Sequence, residues 1–478
     1  MRQIRKHAFS LVAVIVLVLL FAGNAYAQGG PITGTLADGA TYLIEVPANW
    51  NGTLFLYSHG YVPPVPQSMN PAQDAGDPVT EAIMLASGFA LAGSSYAHKG
   101  WAIQEALLDQ IAVLDLFKLL VGQPARTIAW GHSLGGMITA GLIQRYADRF
   151  DAALPMCGVL SGGVATWNTG LDSAFAFKTL LGPGTGLQVV NIADPVANFQ
   201  LAEGILAGAQ STPQGRARLA LVSALGDGPG WFFFPPPPPP EPAEDDFGSQ
   251  ETNQFLWDEF VDLPFLFGFR AELEFRAQGN PSFNTGVDYR KQLAHSIGRE
   301  EVKALYEQAG LDLDADLDLL NDAVRVSADP EALEYLKKNI IFDGEIHIPV
   351  LTMHTKGDGL VVVQNESAYK KVVEEAGNGA LLRRTFVHRA GHCEFSPAET
   401  ITAVQTLLKR LDTGKWSKLE PDDLNQNALA MGPGVNIVFV PVPSQPGTFI
   451  VVPAAPAFFE FKPSRYLRPF DALTAENE

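Results

Sequence analysis

The stretch Ile128–Gly141, IAWGHSLGGMITAG, sets Ser133 between an apolar run and a chain of small residues. Gly131-His132-Ser133-Leu134-Gly135 has the Gly-x-Ser-x-Gly spacing that holds a serine on a tight strand-to-helix corner. Side chains at 131 and 135 would collide with neighbouring strands, so glycine there lets the corner close. The corner lifts the hydroxyl above the sheet, and the Leu134 amide points to where a negative oxygen would form. No Lys-Ser/Thr pair follows, which argues against a nucleotide-binding loop.

A serine hydroxyl is a weak nucleophile without a base and an orienting acid. Asp358 sits in a Lys-Gly-Asp-Gly turn after the apolar run IPVLTMHT, and His392 follows 34 residues later, beyond RRTFVH and an Ala-Gly step. Ser133, Asp358 and His392 are therefore the expected nucleophile, acid and base. His388 and His354 compete for the base but lie in strand-like runs, and His132 lies inside the corner. Asp194 and Glu394 compete for the acid. A second oxyanion amide is expected from Tyr61, in Ser58-His59-Gly60-Tyr61 after the run LFLY. Gly60 permits close backbone approach, and the Tyr61 ring would lie along the substrate.

These residues need a scaffold that brings strand ends together. ITGTLADGATYLIEVPANW and GTLFLYSHGY read as strands, as do GFALAGSSYA, ARTIAW and DAALPMCGVL. AIQEALLDQIAVLDLFKLLVG and GGMITAGLIQRYADRF read as the helices between them. Near-continuous apolar strands alternating with helices predict a mostly parallel sheet covered on both faces.

The alternation stops between 160 and 348, where helical, aromatic-rich segments surround Pro235–Pro240. Six consecutive prolines favour an extended rod and exclude a helix or central strand. The sheet pattern resumes at IPVLTMHT, so 160–348 is read as a cap inserted into a core of 28–159 and 349–412. Trp257, Phe260, Phe265, Phe267 and Phe269 read mainly as cap core, with one or two rings facing the cleft. Glu244-Asp245-Asp246 reads as a solvated linker rather than a calcium loop. The tail, 413–478, is expected to be an extended or hairpin β wrap whose apolar surface the rest of the protein covers.

Residues 1–27 combine Arg2, Arg5 and Lys6 with the run LVAVIVLVLLFAG and small residues at Ala25 and Ala27. That is an export signal with a cleavage site, so a secreted or periplasmic chain starting at Gln28, with no stable membrane anchor, is expected. The whole chain carries 33 basic and 52 acidic side chains, net −19. Such a balance repels nucleic acid and anionic lipid. Two cysteines are too few for a disulfide-built fold. No cofactor or metal set is apparent, and oligomeric state is not encoded in any visible pattern.

Taken together, Gly131–Gly136, His59-Gly60, Asp358 and His392 resemble the α/β-hydrolase superfamily over about residues 45–160 and 345–412. The resemblance implies a doubly wound, mostly parallel sheet of eight strands and hydrolysis through an acyl-enzyme. It carries the triad onto Ser133, Asp358 and His392 and the oxyanion amides onto Leu134 and Tyr61. There is a weaker resemblance to secreted tannases and feruloyl esterases, in which a cysteine beside the histidine bridges to one beside the serine. Cys393 matches the first, but His132 occupies the second position. In a hydrolase sheet Cys157, at the end of the strand after the nucleophile helix, reaches the same edge as Cys393, so a Cys157–Cys393 bridge is expected. The function this implies is hydrolysis of a small-molecule ester with an apolar or aromatic part. A capped serine exopeptidase or amidase is the alternative, with Glu259 and Asp262 as acidic residues to hold an amino group. A non-catalytic binding protein is less favoured, because all three triad types occur in order. Dehalogenase and epoxide hydrolase chemistry would want aspartate where Ser133 stands.

Overall fold

The computed structural model describes residues 30–445 and 447–471; the expected export segment lies outside them. Eight strands come from the core: β1 (Ile32–Thr35), β2 (Thr41–Glu45), β3 (Thr53–Ser58), β4 (Ala90–Ser94), β5 (Arg126–His132), β6 (Ala152–Met156), β7 (Val350–Gly357) and β8 (Leu382–Ala390). The tail adds β9 (Ile437–Pro441), β10 (Phe449–Pro453) and β11 (Phe458–Phe459). The main sheet runs β1-β2-β4-β3-β5-β6-β7-β8-β11. Strands β3 to β8 are mutually parallel, and β2 pairs antiparallel with β1 and β4. This order and these directions are those of the α/β-hydrolase fold.

The main sheet has nine strands among the described residues where eight were expected. The ninth, β11, pairs antiparallel with β8 through Phe458–Val387 and Phe459–Phe386 and covers what would otherwise be a bare edge.

Alternation along β3 shows why its sequence is apolar on both sides. Leu54 and Leu56 pack with Ile103, Leu107 and Ile138 on one face, while Phe55 and Tyr57 pack with Met84 and Trp130 on the other. Helices Ile103–Leu120 and Leu134–Arg145 cover the first face; Pro78–Ala86 and Pro397–Thr413 cover the second. The chain leaves β3 toward β4 on one side and leaves β5 toward β6 on the other. That reversal opens a crevice at the carboxyl ends of β3 and β5, the usual place for a ligand in an open α/β sheet.

Between β6 and β7 the chain forms nine α-helices, from Gly163–Leu181 to Pro330–Lys338, around a second core that includes Leu171, Phe177, Leu221 and Phe267. The helical run from Phe247 to Ala277 changes character in the middle. Residues Asp258–Asp262 and Pro264–Phe269 are π-helical, with the Leu263 amide bonding to the Asp258 carbonyl five residues back. Pro264 has no amide hydrogen for the residue 260 carbonyl, and the backbone widens there.

The proline run is stapled to the sheet rather than left as a free linker. Trp231, Phe232 and Phe233 pack with Trp257, Ala390 and Val438, and Glu241 pairs with Lys356 and His388 at 2.8 and 2.7 Å. The tail is less uniformly extended than expected, since it opens with the helix Pro421–Ala430 packed on Pro397–Thr413. Strands β9 and β10 form the expected hairpin, and it is covered on the β9 side, where Val438 and Val440 are buried, whereas Phe449, Ile450 and Val451 of β10 are exposed. Among the described residues no helix is long and apolar enough to cross a membrane.

Candidate active site

Ser133 follows β5 at φ 59° and ψ −124°, a conformation that costs a residue other than glycine about 1–3 kcal/mol. The corner is held by the Ser133 amide bonding to the Met156 carbonyl at 3.0 Å. The glycine argument has a direct measure here. A Cβ on Gly131 would lie 2.5 Å from the Ser58 carbonyl oxygen, and one on Gly135 only 1.9 Å from it.

Ser133 Oγ donates to His392 Nε2 at 2.7 Å, and His392 Nδ1 donates to Asp358 Oδ2 at 2.8 Å. Asp358 follows β7 and is buried; its other oxygen accepts from the Val361 amide at 2.9 Å. The structure thus brings together three residues that lie 225 and 34 positions apart in sequence.

Behind this chain of hydrogen bonds sits His354, fully buried in β7. Its Nε2 lies 2.8 Å from the Val361 carbonyl and 3.5 Å from Asp358 Oδ2, while its Nδ1 lies 3.3 Å from Glu366 Oε1. Burial favours a neutral ring, but Asp358 and Glu366 outweigh it and push the imidazole up to about 10. Burial would likewise raise Asp358; the His392 and His354 rings outweigh it and hold the carboxyl below its ordinary value. His354 lies in the strand, as expected, with its two ring nitrogens facing the carboxylates of Asp358 and Glu366.

The loop after β3 passes directly over the serine. A Cβ on Gly60 would lie 3.8 Å from Ser133 Oγ. His59 Nδ1 bonds the Gly60 carbonyl at 2.7 Å, and the His59 ring stacks on Tyr96 at 3.9 Å. Because the peptide is planar and trans, holding the Gly60 carbonyl toward His59 turns the Tyr61 amide the opposite way. This use of His59 was not visible in sequence. The Tyr61 ring lines the cavity beside Ser133 and packs against Phe265 at 4.9 Å.

Other candidates fall elsewhere. His132 is half-buried with Nδ1 3.0 Å from the Tyr57 hydroxyl, and loss of solvent around the ring followed by His392 pulls it down to about 4. His388 is bound to Glu241. Asp194 caps the helix Pro195–Gln210 by accepting from the amides of Val196 and Ala197. Glu394 is buried beside the triad, and burial chiefly pushes it up to about 8. Cys157 and Cys393 are bonded, with Cα atoms 5.4 Å apart, tying the histidine loop to the end of β6.

The serine opens into a cavity of about 150 Å³. Cap residues Trp167, Val222, Phe265 and Leu266 line it together with Trp101 and Leu360 from the core. Asp258 and Asp262 also line it. Of the acidic pair expected from sequence, Glu259 is not among the lining residues, and Asp258 takes its place. Away from the serine, Glu45, Asp74 and Glu81 bring carboxylate oxygens within 4.8 Å of one another, a cluster hidden in sequence by its spacing. Burial, then Glu45 and Glu81, pushes Asp74 up to about 8, so a proton eases that cluster near neutral pH.

No family model matches the chain. It is 29% identical over 440 residues to o-phthalyl amidase from Xanthobacter agilis, covering 85% of this chain and 93% of that relative. Among solved structures it is similar to an esterase from Aspergillus oryzae at 13% identity and TM-score 0.43, covering 81% of this chain and 80% of the other. It is also similar to feruloyl esterase B from Aspergillus oryzae at 14% identity and TM-score 0.35, again covering 81% and 80%.

Proposed function

We propose that the protein is a serine hydrolase that cleaves carboxylic esters of small molecules through an acyl-enzyme. The observation that carries this reading is the continuous Ser133–His392–Asp358 hydrogen-bond chain opening into an apolar cavity. His392 Nε2 takes the Ser133 proton as Oγ attacks the acyl carbon. The amides of Leu134 and Tyr61 hold the resulting oxyanion. His392 then returns the proton to the leaving oxygen, and a water repeats the sequence on the acyl-enzyme. Asp358 fixes the ring with Nδ1–H toward itself and stabilises the imidazolium that forms. Aromatic side chains over the cavity favour a substrate with an apolar or aromatic part.

Cleavage of an acyl amide is a second reading, favoured by the amidase relative, whose similarity extends over most of both chains. An amine leaves less readily than an alkoxide, so the two readings differ in rank rather than in mechanism. Turnover of p-nitrophenyl butyrate against butyryl p-nitroanilide, with a fluorophosphonate mapped to its site by peptide mass, tests both. Labelling at Ser133 with faster ester turnover supports the first reading; faster anilide turnover moves the protein to the second. A folded protein that neither labels nor hydrolyses refutes the proposal.

Export belongs to the same reading and is supported by the pattern of residues 1–27. The mature chain should begin at Gln28, as the mass of the protein recovered outside the cytoplasm would show. The disulfide fits an oxidising compartment. Its reduction should lower turnover about tenfold or more by loosening the His392 loop, since small misplacements of a catalytic group are costly. Far-UV circular dichroism should be unchanged. Full activity after verified reduction of both cysteines would show that the bridge does not position His392.

A further inference from the structure

The roof of the cavity is built from irregular backbone. Asp258, Asp262, Phe265 and Leu266 all line the cavity, and all belong to the two consecutive π-helical stretches. Such stretches are rare and concentrate at functional sites. Here the widened helix delivers two carboxyl groups, one turn apart, into the space that Ser133 opens into.

Among the described residues those carboxyls are the only ones lining the cavity, and no lysine, arginine or histidine joins them. Asp258 is buried, 7% exposed, and its Oδ2 has no hydrogen-bond partner. In its ionised form a carboxylate oxygen only accepts, so a partner that holds Asp258 ionised must donate. The surrounding walls are Trp101, Trp167 and Leu266, a low-dielectric setting that strengthens any ion pair and supplies aromatic faces to a cation. We propose that the substrate carries a cationic nitrogen, a protonated amine, which seats against Asp258 and Asp262 while its acyl group meets Ser133. This rests on the serine-hydrolase reading and names the substrate class of the same site.

In the empty pocket the two carboxyls favour their neutral forms. Burial, then Glu251, pushes Asp258 up to about 8, and burial, then Asp258 and Asp358, pushes Asp262 well above its ordinary value. A cation between the two carboxyls opposes each of these causes and favours their ionised forms.

The test uses two p-nitrophenyl methylphosphonates that differ at the end of the alkoxy arm, 4-aminobutyl in one and pentyl in the other. Attack by Ser133 Oγ on phosphorus, with its proton passing to His392 Nε2, forms the Oγ–P bond and breaks the bond to p-nitrophenolate, whose release gives the rate. Ammonium replaces methyl at nearly constant length, so the rate ratio isolates the charge. The ammonium arm should react about tenfold faster or more with the wild-type protein, a difference expected of one buried ion pair. In Asp258→Asn/Asp262→Asn the ratio should fall to about one or below, with the pentyl arm still reacting. A wild-type ratio of one or less overturns the proposal, and so does a preference that survives the double substitution. Failure of both arms to modify Ser133 in folded wild-type protein would instead remove the hydrolase reading, and the proposal with it.

Discussion

Ser133→Ala is expected to lower acyl turnover on the order of 10⁶-fold while the protein stays folded. The effect is large because the variant keeps the oxyanion amides and the cavity but has no atom to form the acyl bond. The fold should survive because the corner is set by glycines 131 and 135 and by the Ser133 amide, none of which the substitution touches. Alanine inherits the same positive φ, so the backbone strain is unchanged. A second variant makes the result specific. His392→Ala removes the base, and the double variant should be no slower than the slower of the two singles, because groups acting as one unit are not additive. Urea unfolding and p-nitrophenyl butyrate kinetics on the three proteins provide the measurement. Losses that multiply would mean that Ser133 and His392 act independently, against the arrangement proposed.

Much of the site was legible because each of its parts has a local cause. The glycines around Ser133, the turn that carries Asp358 and the Ala-Gly step before His392 are backbone demands, and backbone demands leave marks in sequence. The Cys157–Cys393 bridge followed from knowing which strand ends meet at one edge of the sheet. What stayed hidden depends on facing rather than on local chemistry. A mainly helical reading of this part of the cap cannot say which side of a widened turn faces the cavity, so Glu259 was named beside Asp262 when Asp258 is the lining residue. Glu45, Asp74 and Glu81 come from a strand, a loop and a helix and meet only in three dimensions. The Pro421–Ala430 helix did carry signals, with proline in its first turn and Asp422 and Asp423 beside it. They were overshadowed by the proline-rich segment that follows. Strand β11 is two residues long, too short for alternation to register.

His354→Gln is expected to destabilise the protein by about 3–5 kcal/mol, the usual cost of stripping one partner from a buried ion cluster. The imidazole stands between Asp358 and Glu366, and glutamine supplies hydrogen bonds there without the charge. Glu366 is itself committed, because Oε2 accepts from the Thr352 hydroxyl at 2.5 Å, so it has little freedom to seek another partner. Adding Glu366→Gln should recover part of the loss, since the second carboxylate then no longer needs neutralising. The pH dependence separates charge from packing. His354 is pushed up to about 10 in the folded protein, against an ordinary imidazole value of about 6.5. Its charged form therefore contributes stability that is fully present below about pH 6.5 and is lost as pH rises toward 10. The stability difference between wild type and His354→Gln, measured by urea unfolding, should shrink steadily over that interval. A difference that is constant with pH would assign His354 a packing role alone. A shrinking difference would place a buried cation behind Asp358, where it holds the carboxyl ionised and available to His392.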